Sequence, residues 1–459
     1  MHMLRKKIKK PIIFLPVEVT VRELDYKLNI ARLFSQQGFD AIVGNPSFIR
    51  DELKYKNYQG IFLEKGMGHF YSIPEYYQGL KDKGVLIYCL TDEGAEGYMD
   101  FCVHHQASVE ALKSAERIFL WGKVQKERLI RETKDSELAK KYMITGYPGF
   151  DFNTRKYKDY HRYFCPIAKK NYILVNMNFG MFNGYPLEDV LEVFNVKIPK
   201  IEKSLEGVYN KEAKSFKFFS LWLKEIIRSY PKETFLIRPH PGERSSQLYL
   251  DLFGEFKNVY VSRQGNANQV IFGAKLLIHH DCTTALQGYL CGIPVISFSD
   301  PQIKSMNAEW SLAFGAQPKT VEEAKNLIDQ ILKDGKFHTE IMQSVQESAK
   351  HVLSSRFANA GNSTQPVVDV ILSDTKCSFK NLSYKLHNSR SVLQEVKAFV
   401  RYFLPVGYKV PLASRNIVQS FTKKDLLLRL AYLDSIDGIR VNYEIKKMFH
   451  NTYFISVKS

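Results

Sequence analysis

Short apolar runs alternate with longer amphipathic stretches over most of the chain. "PIIFLPVEV" (11–19) reads as a strand, and "RELDYKLNIARLFSQQG" (22–38) as a helix with apolar residues at helical spacing, closed by Gly38. "DAIVGN", "GIFLEKG", "GVLIYCLTDEG", "RIFLWGK" and "YMITGYPG" repeat one design: a short apolar run ended by glycine or polar residues. Strands separated by helical stretches imply βαβ units and a parallel sheet. Residues 151–170, "DFNTRKYKDYHRYFCPIAKK", are polar, basic and aromatic without a clear period, and read as a linker.

A second alternating series follows. "NYILVNMNFG", "ETFLIRPHPGE", "NVYVSR", "AKLLIHHD" and "GIPVISFS" read as strands. "KEAKSFKFFSLWLKEIIRSYP" reads as a helix stopped by Pro231, and "TVEEAKNLIDQILKDG" as one capped by Thr320 with acids in its first turn. From about Lys376 the character changes to basic stretches of helical appearance. The expected architecture is α/β: two Rossmann-like domains over 1–155 and 156–375, parallel sheets facing a central cleft, plus a mainly helical extension over 376–459. Ligands of open α/β sheets bind outside the carboxyl ends of the strands, so the residues at those ends are the candidates.

A chain of 459 residues suits two domains better than one. It has no apolar run of 18 residues, which argues against a membrane-spanning helix. The basic N-terminus is followed by a short apolar run broken by Pro16, which reads as a first strand rather than a signal peptide. Six scattered cysteines form no C-x-x-C pair and fit a reducing, cytoplasmic setting. The formal charge is +17, and residues 376–459 hold 15 Lys/Arg against 5 Asp/Glu. A basic tail suits the anionic inner face of a membrane. The lack of a P-loop, zinc finger or RNA-recognition signature argues against nucleic acid as the partner.

Three loops carry chemistry. In "FLIRPHPGE" a strand delivers Arg238, Pro239, His240 and Pro241 to its end, and the two prolines restrict the histidine's backbone. Arg238 offers a fork for phosphate, His240 a hydrogen bond or proton for a departing phosphate oxygen, and Glu243 a hold on the loop or on a ribose. In "IHHDCTTALQGYL" the residues His280, Asp281, Thr283 and Thr284 sit where a strand gives way to a helix. Either threonine can cap that helix, and the helix amides suit an anion. In "IYCLTDEG" a strand ends at Asp92 and Glu93, where a carboxylate suits a general base or nucleophile. Glu18, Arg22, Glu23 and Lys65 follow other strands of the first half and are acceptor- or sugar-side candidates. His69, His104 and His105 are weaker. No Asp-x-Asp or spaced ligand cluster supports a metal, so a metal-independent reaction without a required cofactor is expected.

Taken together and in order, "FLPVEVTVRELDYKLNIARLFSQQGFDAIVGN", "GIFLEKG", "FLWGKVQKERL", "ITGYPGFDF", "ILVNMNFGMFN", "FLIRPHPGE" and "IHHDCTTALQGYLCGIPVISF" resemble the surface carbohydrate biosynthesis protein family. The order Asp-Glu-Gly, His-Pro, Thr-Thr also resembles the bacterial polysialyltransferases and capsule β-Kdo transferases. The resemblance implies a GT-B glycosyltransferase of capsule or O-antigen synthesis. Its CMP-activated donor, a Kdo or another nonulosonic acid, would be held by His240 and the Thr283–Thr284 loop. Asp92 or Glu93 would act on the sugar or on a glycan or lipid-linked acceptor. Asp281-Cys282 stands where relatives often carry Ser or Asn, and the tail beyond residue 375 matches nothing. The alternatives are a polyol-phosphate transferase using CDP-glycerol, an epimerase of the UDP-sugar 2-epimerase type, and a non-catalytic scaffold of polysaccharide assembly.

Overall fold

The computed structural model describes residues 7–66, 74–92, 94, 109–165, 167, 171–184, 199–299, 309–376, 378–379, 382–387, 389, 391, 394 and 420–458. The chain divides into two compact α/β units. The first is built from residues 1–94, 98–152 and 355–459, the second chiefly from 153–354. Each has a predominantly parallel sheet, which is the two-domain α/β class expected from the alternating pattern.

The first unit contains β1 (Lys7–Ile8), β2 (Ile12–Pro16), β3 (Asp40–Gly44), β4 (Gly60–Glu64), β5 (Val85–Leu90), β6 (Arg117–Leu120) and β7 (Tyr142–Ile144). Strands β2 to β7 run parallel in the order β3-β2-β4-β5-β6-β7. The chain passes from β2 to β3 on one side and to β4 on the other, so the order reverses at β2. Ligands of such sheets bind at this reversal. Helix Thr20–Gln36 follows β2, and its Leu24, Leu28, Ile30, Ala31 and Phe34 are buried.

The second unit holds β8 (Tyr172–Asn176), β9 (Phe235–Arg238), β10 (Val259–Val261), β11 (Ala274–His280) and β12 (Val295–Phe298), all parallel, in the order β10-β9-β8-β11-β12. Here the order reverses at β8. Ile173, Val175, Ile237, Ile278 and Ile296 face one core, completed by Phe219, Leu223 and Ile226 of helix Pro199–Ser229. The alternate row, Arg238, Asn176, His279 and Ser297, lies in register across the ends of four adjacent strands on the other face.

Two stretches differ from the sequence expectation. Within the expected linker 151–170, residues 151–164 are in large part helical: short 3-10 turns at Pro148–Asn153 and Arg155–Tyr157 lead into helix Lys158–Phe164. Tyr157 and Tyr160 are buried at helical spacing, a period hidden in the sequence by the basic residues between them. The tail supplies helix Lys423–Ile436, but also β13 (Tyr384–Lys385), β14 (Tyr443–Phe449) and β15 (Thr452–Val457). β13 pairs with β1. β14 and β15 form a hairpin, and β15 pairs antiparallel with β3, so the tail completes the first sheet. Gly44 permits this: with φ near +149°, any side chain there would meet the Asn451 carbonyl at 2.0 Å. The basic stretch at 395–419 lies outside the described residues. No helix among the described residues is long and apolar enough to cross a membrane.

Candidate functional site

At the first sheet's reversal, side chains from three strand ends and one helix converge. Glu23, in the first turn of helix Thr20–Gln36, is fully buried and accepts the Glu18 and Val19 backbone amides at 2.8 and 3.1 Å. Lys65, one residue beyond β4, donates to Glu23 Oε1 at 2.6 Å and to Glu18 Oε2 at 2.7 Å. Asp92, two residues beyond β5, accepts the Tyr26 hydroxyl on Oδ1 at 2.5 Å. Its Oδ2 is buried without a hydrogen-bond partner, 3.7 Å from Lys65 Nζ and 3.9 Å from Lys27 Nζ. Tyr147, beyond β7, packs edge-on against Tyr26 at 5.4 Å and stacks on Trp121 at 4.5 Å, walling this end of the sheet with rings.

The electrostatics separate the two buried carboxylates. Burial pushes Glu23 upward, but Lys27 and then Lys65 outweigh it and hold Glu23 down at about 2. Asp92 is raised above its ordinary value, first by burial and then by the neighbouring Glu23 charge, against the pull of the two lysines. Lys65 is held above the usual lysine range: burial opposes its charge, and Glu23, Asp92 and Glu18 overcome that. The cluster thus pairs a committed anion, Glu23, with a carboxyl that takes up a proton easily, Asp92. One fixed charge beside one exchangeable proton is an arrangement suited to acid–base work.

The sequence placed Glu18, Glu23, Lys65 and Asp92 correctly as neighbours of strand ends, and the structure brings all four together. Arg22 is exposed in the first turn of the same helix. Glu93, His69, His104 and His105 lie outside the described residues. Lys27 and Tyr26 were missed, because a polar residue inside an amphipathic helix reads as part of its solvated face. The available signal was the Glu23–Lys27 spacing of four, which makes an ion pair at 3.2 Å.

At the second sheet's reversal, three loops meet. His240 is half-buried between Pro239 and the exposed Pro241, and its Nδ1 accepts the Gly242 amide at 3.1 Å. The neutral ring therefore carries its proton on Nε2. Glu243 is buried and gathers the loops: it accepts from His240 N at 2.8 Å, Asn183 Nδ2 at 2.7 Å and Tyr249 OH at 2.6 Å. Of the two roles the sequence offered Glu243, holding the loop is the one visible. Arg238 is buried and directs its guanidinium to the Gln264 and Gly265 carbonyls at 2.9 and 2.7 Å, and burial lowers it to about 10. The phosphate fork expected of Arg238 is thus engaged with backbone.

His280 stacks on Phe179 at 5.0 Å, and Asn178 donates to the Asp281 carbonyl at 2.6 Å, tying the β8 loop to the β11 loop. Asp281 has φ near +44°, a left-handed turn uncommon for a residue with a side chain. Helix Thr284–Cys291 begins just beyond. Thr283 is its N-cap, but neither threonine makes the expected side-chain cap: Thr283 is exposed and uncapping, and the Thr284 hydroxyl donates to Cys282 Sγ at 3.1 Å. The reason is local: Thr283 has helical rather than extended backbone, and the helix start is tightened instead by Ala285 N to Cys282 O at 3.1 Å. The thiol is thereby engaged and pushed up by burial, which makes it a poor nucleophile. His279 is held neutral, lowered by burial to about 3, and hydrogen-bonds Ser297 Oγ at 2.7 Å. Between Arg238 and His279, Asn176 is buried with neither amide atom partnered among the described residues. Asn176, Asn178 and Asn183 were missed, although "ILVNMNFGMFN" announces polar residues at the end of an apolar strand. Among the described residues, no three His, Cys, Asp or Glu side chains group as metal ligands.

The sequence matches no protein-family profile and no curated protein. Solved structures are similar in outline. A UDP-N-acetylglucosamine 2-epimerase has a TM-score of 0.48 at 12% identity over 80% of this chain and 97% of its own. The Methanocaldococcus jannaschii UDP-GlcNAc 2-epimerase in complex with UDP-GlcNAc and UDP has a TM-score of 0.43 at 14% identity, over 79% of this chain and 99% of its own. The wall teichoic acid polymerase TagF has a TM-score of 0.41 at 12% identity, over 80% of this chain and 89% of its own. The architecture assigned above rests on this chain's own strand orders.

Proposed function

We propose that this chain is a GT-B glycosyltransferase of bacterial surface-polysaccharide synthesis, using a CMP-activated keto-deoxy sugar acid and requiring no metal. The second domain holds the donor nucleotide: His240, with its proton on Nε2, and the backbone at the start of helix Thr284–Cys291 meet the phosphate charge that grows as CMP departs. The first domain works on the acceptor. Asp92 takes the hydroxyl proton as the acceptor oxygen bonds to the anomeric carbon, while the bonding pair to the phosphate oxygen leaves with CMP. The observation that carries this reading is Asp92 itself: a buried carboxyl at a strand end, one oxygen unpartnered, its proton affinity raised.

Calorimetric titration with CMP, CDP, UDP and GDP tests the donor. Preferential CMP binding that disappears in His240→Ala supports it. Preference for UDP or GDP overturns the donor class, and absence of binding favours an assembly scaffold. CDP-glycerol in the same panel, with analysis of the transferred group, separates the polyol-phosphate alternative.

A further inference from the structure

The acid–base reading of Asp92 leaves one buried group unexplained. Lys27 is 2% exposed, among the least accessible large side chains of the chain. It lies on a helix whose other buried positions are mostly apolar, and a methionine would fill comparable space. A buried ammonium is costly unless its charge is used or matched. Its Nζ donates to the Pro16 carbonyl and to Glu23 Oε2 at 3.2 Å, and stands 3.9 Å from Asp92 Oδ2. Lys65 plays a different part. It is shared among Glu18, Glu23 and Asp92, and its side chain is 15% exposed against 2% for Lys27.

A charge count shows what Lys27 changes. Helix Thr20–Gln36 presents Glu23, Lys27 and the Tyr26 hydroxyl to Asp92. The β4 end presents Lys65, the β2 end the half-exposed Glu18, and the β7 end Tyr147, with Arg22 at the exposed margin. Both tyrosines are neutral, held well above the usual phenol range by burial and then by Asp92. Without Lys27, an ionised Asp92 would share one ammonium, that of Lys65, with two other carboxylates. With it, the buried interior balances two lysines against Glu23 and Asp92.

We infer that Lys27 is a positioning residue for Asp92: its buried ammonium, in ion-pair range of Oδ2, lets this aspartate give up its proton in a site that would otherwise keep it neutral. The inference rests on the reading of Asp92 as the base. A purely structural lysine that only neutralises Glu23 would leave the Asp92 titration where it is.

The test follows the carbonyl stretch of protonated Asp92 by infrared difference spectroscopy against Asp92→Asn as pH is raised, in the full-length protein, Lys27→Met and Glu23→Gln. Lys27→Met is expected to move the Asp92 titration upward by about one to three pH units, as loss of an adjacent cation does. Glu23→Gln is expected to move it downward, because a competing anion is lost and both lysines are released to Asp92. The acidic limb of the kcat/KM profile moves with the spectroscopic titration, while CMP affinity is unchanged. If Lys27→Met fails to fold, Lys27→Gln, which keeps a donor toward the Pro16 carbonyl and removes the charge, carries the test. An Asp92 titration unmoved in either folded variant overturns the inference. A titration that moves as stated, with transfer retained in Asp92→Asn, leaves the inference standing and overturns the catalytic reading.

Discussion

The two strand-order reversals of this chain are built from different materials. The first gathers full charges: Glu23, Lys27, Lys65 and Asp92 within hydrogen-bond or ion-pair range, all but Lys65 almost wholly buried. The second buries mostly neutral groups on its strand ends, Asn176, His279 and Ser297, and turns Arg238 toward backbone carbonyls. The same sheet edge therefore serves two ends. Charges inside protein shift one another's proton affinity strongly, which suits proton transfer. Fixed dipoles and backbone amides hold an anion without titrating near neutrality, which suits a phosphate.

Substitutions can break this contrast, and the largest effect is expected on catalysis. Asp92→Asn should lower kcat by roughly 10²–10⁴-fold, the usual range for a lost general base, with CMP binding intact by calorimetry. Loss of CMP binding instead would erase the division of labour between the domains. Next, Glu23→Ala removes the carboxylate that pairs with the buried Lys27 and should cost the first domain about 3–5 kcal/mol. Hydrogen exchange of peptides spanning β2 and β4 reads this, and should show the second domain unaffected. Glu243→Ala removes an acceptor shared by two loops and helix Gln247–Phe253 and should cost less, about 1.5–3 kcal/mol, as faster exchange across residues 177–184.

A buried carboxyl of the second domain is also pushed toward neutrality. Glu212 accepts the Met181 and Phe182 amides at 3.0 Å each, and burial raises it from 4.5 to about 7. A folded carboxyl that binds its proton more tightly than the unfolded chain favours folding at low pH. That contribution is lost as pH climbs from about 4.5 through 7, for a total of roughly 3 kcal/mol. Glu212→Gln should flatten this slope in thermal melts taken across that range; an unchanged slope would sink the assignment. Smallest of all, Thr283→Ala should change stability by less than about 0.5 kcal/mol, because its hydroxyl caps nothing. A measured loss near 1 kcal/mol would show that the cap forms in solution.

Much of the fold was readable in the sequence, since eleven strands end in the glycines, prolines and polar residues that break apolar runs. The ends of those runs also named most of the candidate site. What stayed hidden was polar residues used inside. Lys27 and Tyr26 look like a helix's wet face, and Arg238 advertises a phosphate fork that the fold spends on its own backbone. The β14 strand was read as helix because Lys446 and Lys447 interrupt the alternation of Tyr443, Ile445 and Phe449, and an exposed stretch of an outer strand tolerates such residues.

The pairing of β15 with β3 has a consequence for synthesis. The two strands are separated by about 400 residues, so the first sheet stays unfinished while residues 153–354, the bulk of the second domain, emerge from the ribosome. β3 waits through that interval with an open edge, and Arg32 waits for its partners Asp434 and Asp437. The domain that begins first is the one that finishes last, and its exposed edge during that delay is where chaperones or misassembly would act.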